Sequence, residues 1–164
     1  MEWFSSWFNS KYYHVLYKQR NVLEAEKFIN NLQKFLKKDD KLLDVACGSG
    51  RHTIYLNTLG YKTTGIDLSY QSIESAKKKS DYKIEFKVWD MRKCFKKNTY
   101  NVVLNLFTSF GYFEKEKDDL LTLKAMSNNL KKDGILIIDF LNAEKVISNL
   151  EEYEKKTINN ITTL

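Results

Sequence analysis

Leu42-Leu43-Asp44-Val45-Ala46-Cys47-Gly48-Ser49-Gly50-Arg51-His52-Thr53 is the stretch that decides the architecture of this chain. Residues 41–47 form a short apolar strand pattern, Gly48-Ser49-Gly50 breaks it, and a helical pattern covers residues 51–59, where Gly60 can cap it. A strand that runs into Gly-x-Gly and then a helix brings a ligand against bare backbone, where a Cβ would collide. The helix start adds unpaired N–H groups facing the same place. The next strand pattern, residues 62–68, holds Gly65-Ile66-Asp67, and Asp67 lies 19 residues after Gly48. An acid at that strand tip is placed to accept hydrogen bonds from both ribose hydroxyls of an adenosine ligand. Capping the following helix is its competing use. A nicotinamide-type loop asks for Gly or Ala where Thr53 stands, and it does not call for Asp44. A Walker loop is excluded because no Gly-Lys-Ser/Thr follows the glycines.

The flanking patterns continue the alternation. Residues 22–37 predict a helix, with Ala25, Phe28, Ile29, Leu32, Phe35 and Leu36 at helical spacing, and Lys37-Lys38-Asp39-Asp40 is its exposed end and a turn. A helix over 70–79, which Ser69 can cap, precedes strands over 84–90 and 100–107. A helix over 114–130 sets Leu120, Leu123 and Leu130 on one side, and Lys131-Lys132-Asp133-Gly134 closes it. Residues 135–141 are nearly all apolar, as in a parallel strand buried on both faces. Repeated strand–helix–strand passages with right-handed crossovers give an open, doubly wound α/β sheet.

Composition narrows the function classes. The chain has 164 residues, the length of one domain at roughly 100–200 residues per domain. Its 43 % hydrophobic and 29 % charged residues are globular values. The longest apolar run, 135–141, is interrupted by Asp139 and falls short of a membrane span. The start, Met1-Glu2-Trp3, has no secretory pattern. Cys47 and Cys94 make no disulfide framework, so a cytoplasmic setting is expected, and His14 and His52 are too few for a metal cluster. The net charge of +6 comes from scattered lysines, with Arg20, Arg51 and Arg92 the only arginines. Solvated faces account for them better than a nucleic-acid surface does.

Asp44-Val45-Ala46-Cys47-Gly48-Ser49-Gly50, Gly65-Ile66-Asp67-Leu68-Ser69, Trp89-Asp90-Met91-Arg92 and residues 130–141 together resemble the successive motifs of class I S-adenosylmethionine-dependent methyltransferases. Phe107-Thr108-Ser109-Phe110-Gly111-Tyr112-Phe113 further resembles a subgroup of small bacterial methyltransferases, many of them acting on small molecules. The resemblance implies a Rossmann-like sheet of order 3-2-1-4-5 and S-adenosylmethionine as cofactor. It implies that Asp44 organises the loop, and that Ala46, Gly48 and Gly50 let the methionine end approach. Arg51 would lie near the methionine carboxylate, Asp67 would hold the ribose, and Leu68 would flank the adenine. Asp90 would face the adenine amino group with Met91 packed on the ring, and Asn105 and Phe107 would lie beside the sulfonium and the acceptor. Candidate general bases are His52, Tyr13, Tyr112 and His14, none of which stands out.

Absences narrow the acceptor. The stretch Asn105-Leu106-Phe107-Thr108 stands where exocyclic-amine and glutamine methyltransferases carry Asn/Asp-Pro-Pro-Tyr/Phe, and the chain has no proline. The same lack excludes a Pro-Cys nucleophile, and Cys47 reads as a small buried residue. Six of the first 13 residues are aromatic, against 14 % overall. They are expected to pack over the sheet edge or to close the site as a lid, with Tyr13, Tyr17 and Arg20 as contacts.

The family's sheet ends in an antiparallel hairpin, whereas only 23 residues follow Leu141. Residues 142–156 can form a helix with Val146, Ile147 and Leu150 on one side, and 157–164 can begin one more strand. The single domain therefore divides into an aromatic segment and helix (1–38), a cofactor-binding core (41–141) and an incomplete end (142–164). The fifth strand is then left with an apolar edge, as expected if the chain is a truncated piece of a longer protein, or as a site for pairing with a second copy. The expected function is methyl transfer to a small molecule, without membrane association. The alternatives are a non-catalytic cofactor-binding or partner-binding remnant, or an RNA or protein methyltransferase.

Overall fold

The computed structural model describes residues 3–8, 10, 12, 22–150, 156–158 and 161–163. A short helix, α1 (Trp3–Phe8), is followed by α2 (Val22–Leu32), which tightens into a 3-10 turn over Gln33–Phe35. Strands and helices then alternate as β1 (Lys41–Val45), α3 (Arg51–Thr58), β2 (Lys62–Asp67), α4 (Tyr70–Lys79), β3 (Glu85–Val88), β4 (Tyr100–Asn105), α5 (Glu116–Asn129) and β5 (Leu130–Ile138). The five strands form one parallel sheet in the order β3-β2-β1-β4-β5. This is the Rossmann-like order expected from the sequence. Strand β1 is central, with Asp44 registered against Gly65 of β2 and Leu104 of β4. The strand order reverses between β1 and β4, which opens a crevice at the C-terminal ends of the strands.

Both faces of the sheet are covered, which is why β1 and β4 read as continuous apolar runs. Leu42, Val102 and Leu104 pack with Ile29, Leu32, Leu56 and Tyr61. Their neighbours Leu43 and Val103 pack with Val45, Ile66, Tyr100 and Met126. Ser69 caps α4 as expected, its Oγ accepting the Ser72 N–H at 3.2 Å. Gly65 lets α4 and β3 close on the sheet: a Cβ there would stand 2.6 Å from the Phe86 ring and 2.8 Å from Cys47 Sγ.

Four expectations need correction. Helix α5 stops at Asn129, and the chain is already extended at Leu130. Asn129 is buried, and its Oδ1 accepts the N–H groups of Phe95 and Lys96 at 2.9 and 2.8 Å. The N–H groups of Asn98 and Thr99 take the carbonyls of Asn128 and Asn129, so the end of the helix serves the incoming loop. The buried face of α5 is Thr122, Ala125, Met126 and Asn129, while Leu120 is 60 % exposed. Strand β5 stands at the sheet edge as the strand order implies, but it is not buried on both faces, with Ile135 40 % exposed and Phe140 and Leu141 exposed beyond it. The helix after it, α6 (Ala143–Ser148), is shorter than predicted, and Val146, Ile147 and Leu150 are exposed. Finally, β6 (Lys156–Ile158) and β7 (Ile161–Thr163) pair antiparallel with each other in a separate two-stranded sheet and do not form one further strand.

Replacing Gly65 by Ala is expected to destabilise the fold by about 1–3 kcal/mol, the cost of overpacking a closed core site. Urea denaturation checks this; an unchanged midpoint would mean that Phe86 moves aside freely.

Candidate functional site

The loop leaving β1 turns through left-handed backbone at Ala46 (φ 60°), Gly48 (φ 56°) and Gly50 (φ 78°). That turn brings the Gly48 N–H to Asp67 Oδ2 at 2.8 Å, while the Ser69 N–H donates to Asp67 Oδ1 at 2.8 Å. Burial pushes the Asp67 carboxyl up, and the two backbone donors oppose the shift. A carboxylate offers about four acceptor positions, so roughly two remain on Asp67. A Cβ on Gly48 would meet no atom within 4 Å, so this residue faces open space. Behind the loop, Asp44 is buried and accepts the Thr53 hydroxyl at 2.5 Å. Burial raises its carboxyl to about 7; the Thr53 hydrogen bond opposes the shift, and the nearby Asp67 charge reinforces it.

The open space is a cavity of about 480 Å³ at the C-terminal ends of the strands. Of the residues singled out in the sequence, Asp44, Ala46, Gly48, Arg51, His52, Asp67, Leu68, Asp90, Met91, Phe107 and Tyr112 line it. Gly50 and Asn105 do not. A Cβ on Gly50 would lie 2.8 Å from the Phe86 ring, so Gly50 serves helix–strand packing. Asn105 is buried and donates Nδ2 to the Val45 carbonyl at 3.0 Å, leaving Oδ1 without a partner. Tyr13, Tyr17, Arg20 and His14 lie outside the described residues. The Cys47 thiol is buried and raised well above its ordinary value, first by desolvation and then by the charges of Asp44 and Asp67.

Two arginines frame the cavity. The Arg51 guanidinium pairs with Glu24 of α2 at 2.6 Å and lies 4.1 Å from the Phe107 ring centroid. The His52 ring packs 4.9 Å from Phe107, and its Nε2 is buried without a hydrogen-bond partner. Burial, aided by the Arg51 charge, lowers His52 to about 3, so the imidazole is neutral at physiological pH. On the opposite wall, Asp90 accepts the Arg92 N–H at 2.9 Å, Nε at 3.0 and 3.1 Å, and Nη2 at 2.7 Å. Burial raises the Asp90 carboxyl, but the Arg92 hydrogen bonds and charge outweigh it and lower its pKa. Arg92 also lies 4.8 Å from the Phe113 ring and 3.7 Å from Asp118.

Aromatic side chains of α1 and of the segment after β4 also line the cavity. Phe4 meets Phe113 edge-on at 5.6 Å, and Phe8 meets Tyr112 at 5.3 Å. Phe4 and Phe8 are four residues apart and so share a face of α1. The sequence reading names Tyr13, Tyr17 and Arg20 as lid contacts, which lie outside the described residues; the four-residue spacing is the signal that singles out Phe4 and Phe8. Arg92, Trp89 and Phe113 also line the cavity, although the sequence patterns do not mark them as site residues.

The profile of a family described as a methyltransferase domain matches residues 36–163. Ubiquinone biosynthesis O-methyltransferase of Pelagibacter ubique is 35 % identical over 131 residues, covering 78 % of this chain and 52 % of that protein. Glycine/sarcosine N-methyltransferase of Aphanothece halophytica is 29 % identical over 133 residues, covering 78 % of this chain and 49 % of that protein. Among solved structures, the PH0226 protein of Pyrococcus horikoshii OT3 superposes with a TM-score of 0.70 at 29 % identity, over 90 % of this chain and 67 % of that one. The chain spans about half the length of the curated relatives it matches first. Among the described residues, no helix is long and apolar enough to cross a membrane.

The His52 shift has a measurable consequence. An unfolded imidazole titrates near 6.5 and the buried one near 3. As pH falls through that window the unfolded chain gains a proton that the folded chain does not, so stability is lost towards acid. Between about pH 7 and about pH 5, the stability difference between wild type and His52→Gln is expected to change by about 2 kcal/mol. Parallel urea curves at the two pH values check this; a constant difference would show that His52 titrates normally.

Proposed function

The chain belongs to the methyltransferase-domain family, and from that membership we propose that it transfers the methyl group of S-adenosylmethionine, the family's cofactor, to a small molecule. One observation carries the proposal: the cavity lies at the β1–β2–β4 tips, holds a braced carboxylate, and is lined by aromatic rings. An acceptor has to fit beside Phe4, Phe8, Tyr112 and Phe113, which favours a small molecule over a folded protein or an RNA. The relatives named for ubiquinone biosynthesis and for glycine/sarcosine methylation point the same way. A volume of about 480 Å³ lies within the ordinary range for small-ligand pockets.

The residues present fit the cofactor. The two acceptor positions left on Asp67 match the two hydroxyls of a ribose, and the open space over Gly48 admits a ligand against the backbone. On this reading Asp67 holds the ribose, Leu68 and Met91 flank the adenine, and Ala46 and Gly48 border the methionine end with Arg51 nearby. Asp44 and Asn105 hold the loop from behind. Asp90, expected to face the adenine amino group, lines the cavity with its carboxylate hydrogen-bonded to Arg92, whose guanidinium lies beside Phe113. Bound there, the cofactor supplies a sulfonium methyl already activated for attack. The protein's share is alignment and the exclusion of water. Burial keeps the His52 imidazole neutral, with Nε2 open as an acceptor.

Calorimetric titration of the chain with S-adenosylmethionine and S-adenosylhomocysteine, with NAD as control, tests this directly. Asp67→Ala is expected to weaken binding at least tenfold, about 1.4 kcal/mol. The double variant Phe4→Ala/Phe8→Ala should weaken it severalfold if α1 closes the site. Binding without turnover of any small acceptor would favour the non-catalytic remnant. No binding by a folded chain would overturn the proposal for this chain.

A further inference from the structure

Phe107 and Thr108, at the tip of β4, both have left-handed backbone, with φ of 60° and 56°. Neighbouring non-glycine residues rarely share this conformation, and a β-branched Thr there is a true outlier. Such conformations persist where the surroundings over-determine them, and they cluster at functional sites. Here one residue just beyond β5, Asp139, hydrogen-bonds to both. Its N–H donates to the Asn105 carbonyl at 2.9 Å, adding one rung to the β4–β5 ladder. Its carbonyl accepts the Thr108 N–H at 3.1 Å, and its Oδ2 accepts the Phe107 N–H at 3.0 Å. Two of these bonds are backbone; only the last depends on the carboxylate, and it goes to the residue whose ring walls the cavity beside Arg51 and His52.

We propose that Asp139 is a positioning residue: its carboxylate holds the Phe107 backbone in the left-handed conformation and so fixes the Phe107 ring as a wall of the cofactor and acceptor cavity. The side chain acts through Phe107 and does not itself line the cavity. Its effect on cofactor affinity rests on the function proposed above, whereas its hold on the Phe107 backbone does not.

Three variants test this in the full chain. Asp139→Ala removes the acceptor oxygen, Asp139→Asn keeps one, and Phe107→Leu keeps the backbone bond but removes the ring. Amide exchange is followed by NMR, and S-adenosylhomocysteine affinity by calorimetry. In Asp139→Ala the Phe107 amide is expected to exchange at least tenfold faster while the Thr108 amide keeps its protection, and affinity falls at least fivefold. Asp139→Asn should stay within twofold of wild type on both readouts. Phe107→Leu should lose affinity with the amide at position 107 still protected, which keeps the proposal testable if Asp139→Ala does not fold. Unchanged exchange and affinity in Asp139→Ala would overturn it. So would an Asn variant as impaired as the Ala variant, or a Phe107→Leu variant that binds like wild type. If the wild type binds no S-adenosylhomocysteine, the cofactor reading fails, and the exchange rates alone decide the role of Asp139.

Discussion

The hydrogen bond from the Gly48 N–H to the Asp67 carboxylate ties the end of one strand to the loop leaving its neighbour, and the rest of the site depends on that tie. It requires Gly48 in a left-handed turn and Asp67 at the end of β2. It also requires β1 and β2 in the parallel register that puts Asp44 opposite Gly65. Each condition is met by packing elsewhere: Gly65 and Gly50 admit Phe86, and Thr53 satisfies Asp44 inside the fold. The carboxylate is thus oriented from two sides before any ligand arrives, and preorganisation of this kind lowers the cost of binding.

Much of this is legible in the sequence because its causes are local. Asp44, Gly48, Gly50 and Asp67 are specified by strand ends and a tight turn, where each backbone conformation admits few residue types. The parallel, doubly wound sheet follows from the strand–helix–strand alternation, while its order comes with the family resemblance. Ser69 caps α4 as its position predicts, since a cap needs only its own first turn.

The rest is hidden because it depends on what lies across from a residue. Leu120 looks like a core position on helical spacing, yet Asn129 is buried and Leu120 exposed, because the loop before β4 docks on the end of the helix. Residues 135–141 read as doubly buried; the strand order implies an edge for β5, but apolarity does not reveal that its faces are only partly covered. Asp139 looks like an ordinary polar group at a strand end; its partner, the Phe107 amide, lies 32 residues away. The motif around Asp90 does not reveal that Arg92, two residues on, hydrogen-bonds its carboxylate.

The aromatic wall has a consequence for the order in which the molecule is put together. Helix α1 precedes the sheet in the chain, but its seat on Tyr112 and Phe113 exists only after β4 has joined the sheet. A six-residue helix is too short to hold its shape alone in water, so until then Phe4 and Phe8 have nothing to cover. The two rings therefore stay unburied until the sheet that carries their partners has formed. The early helix is placed late, and the cavity closes only when the sheet beneath it is complete.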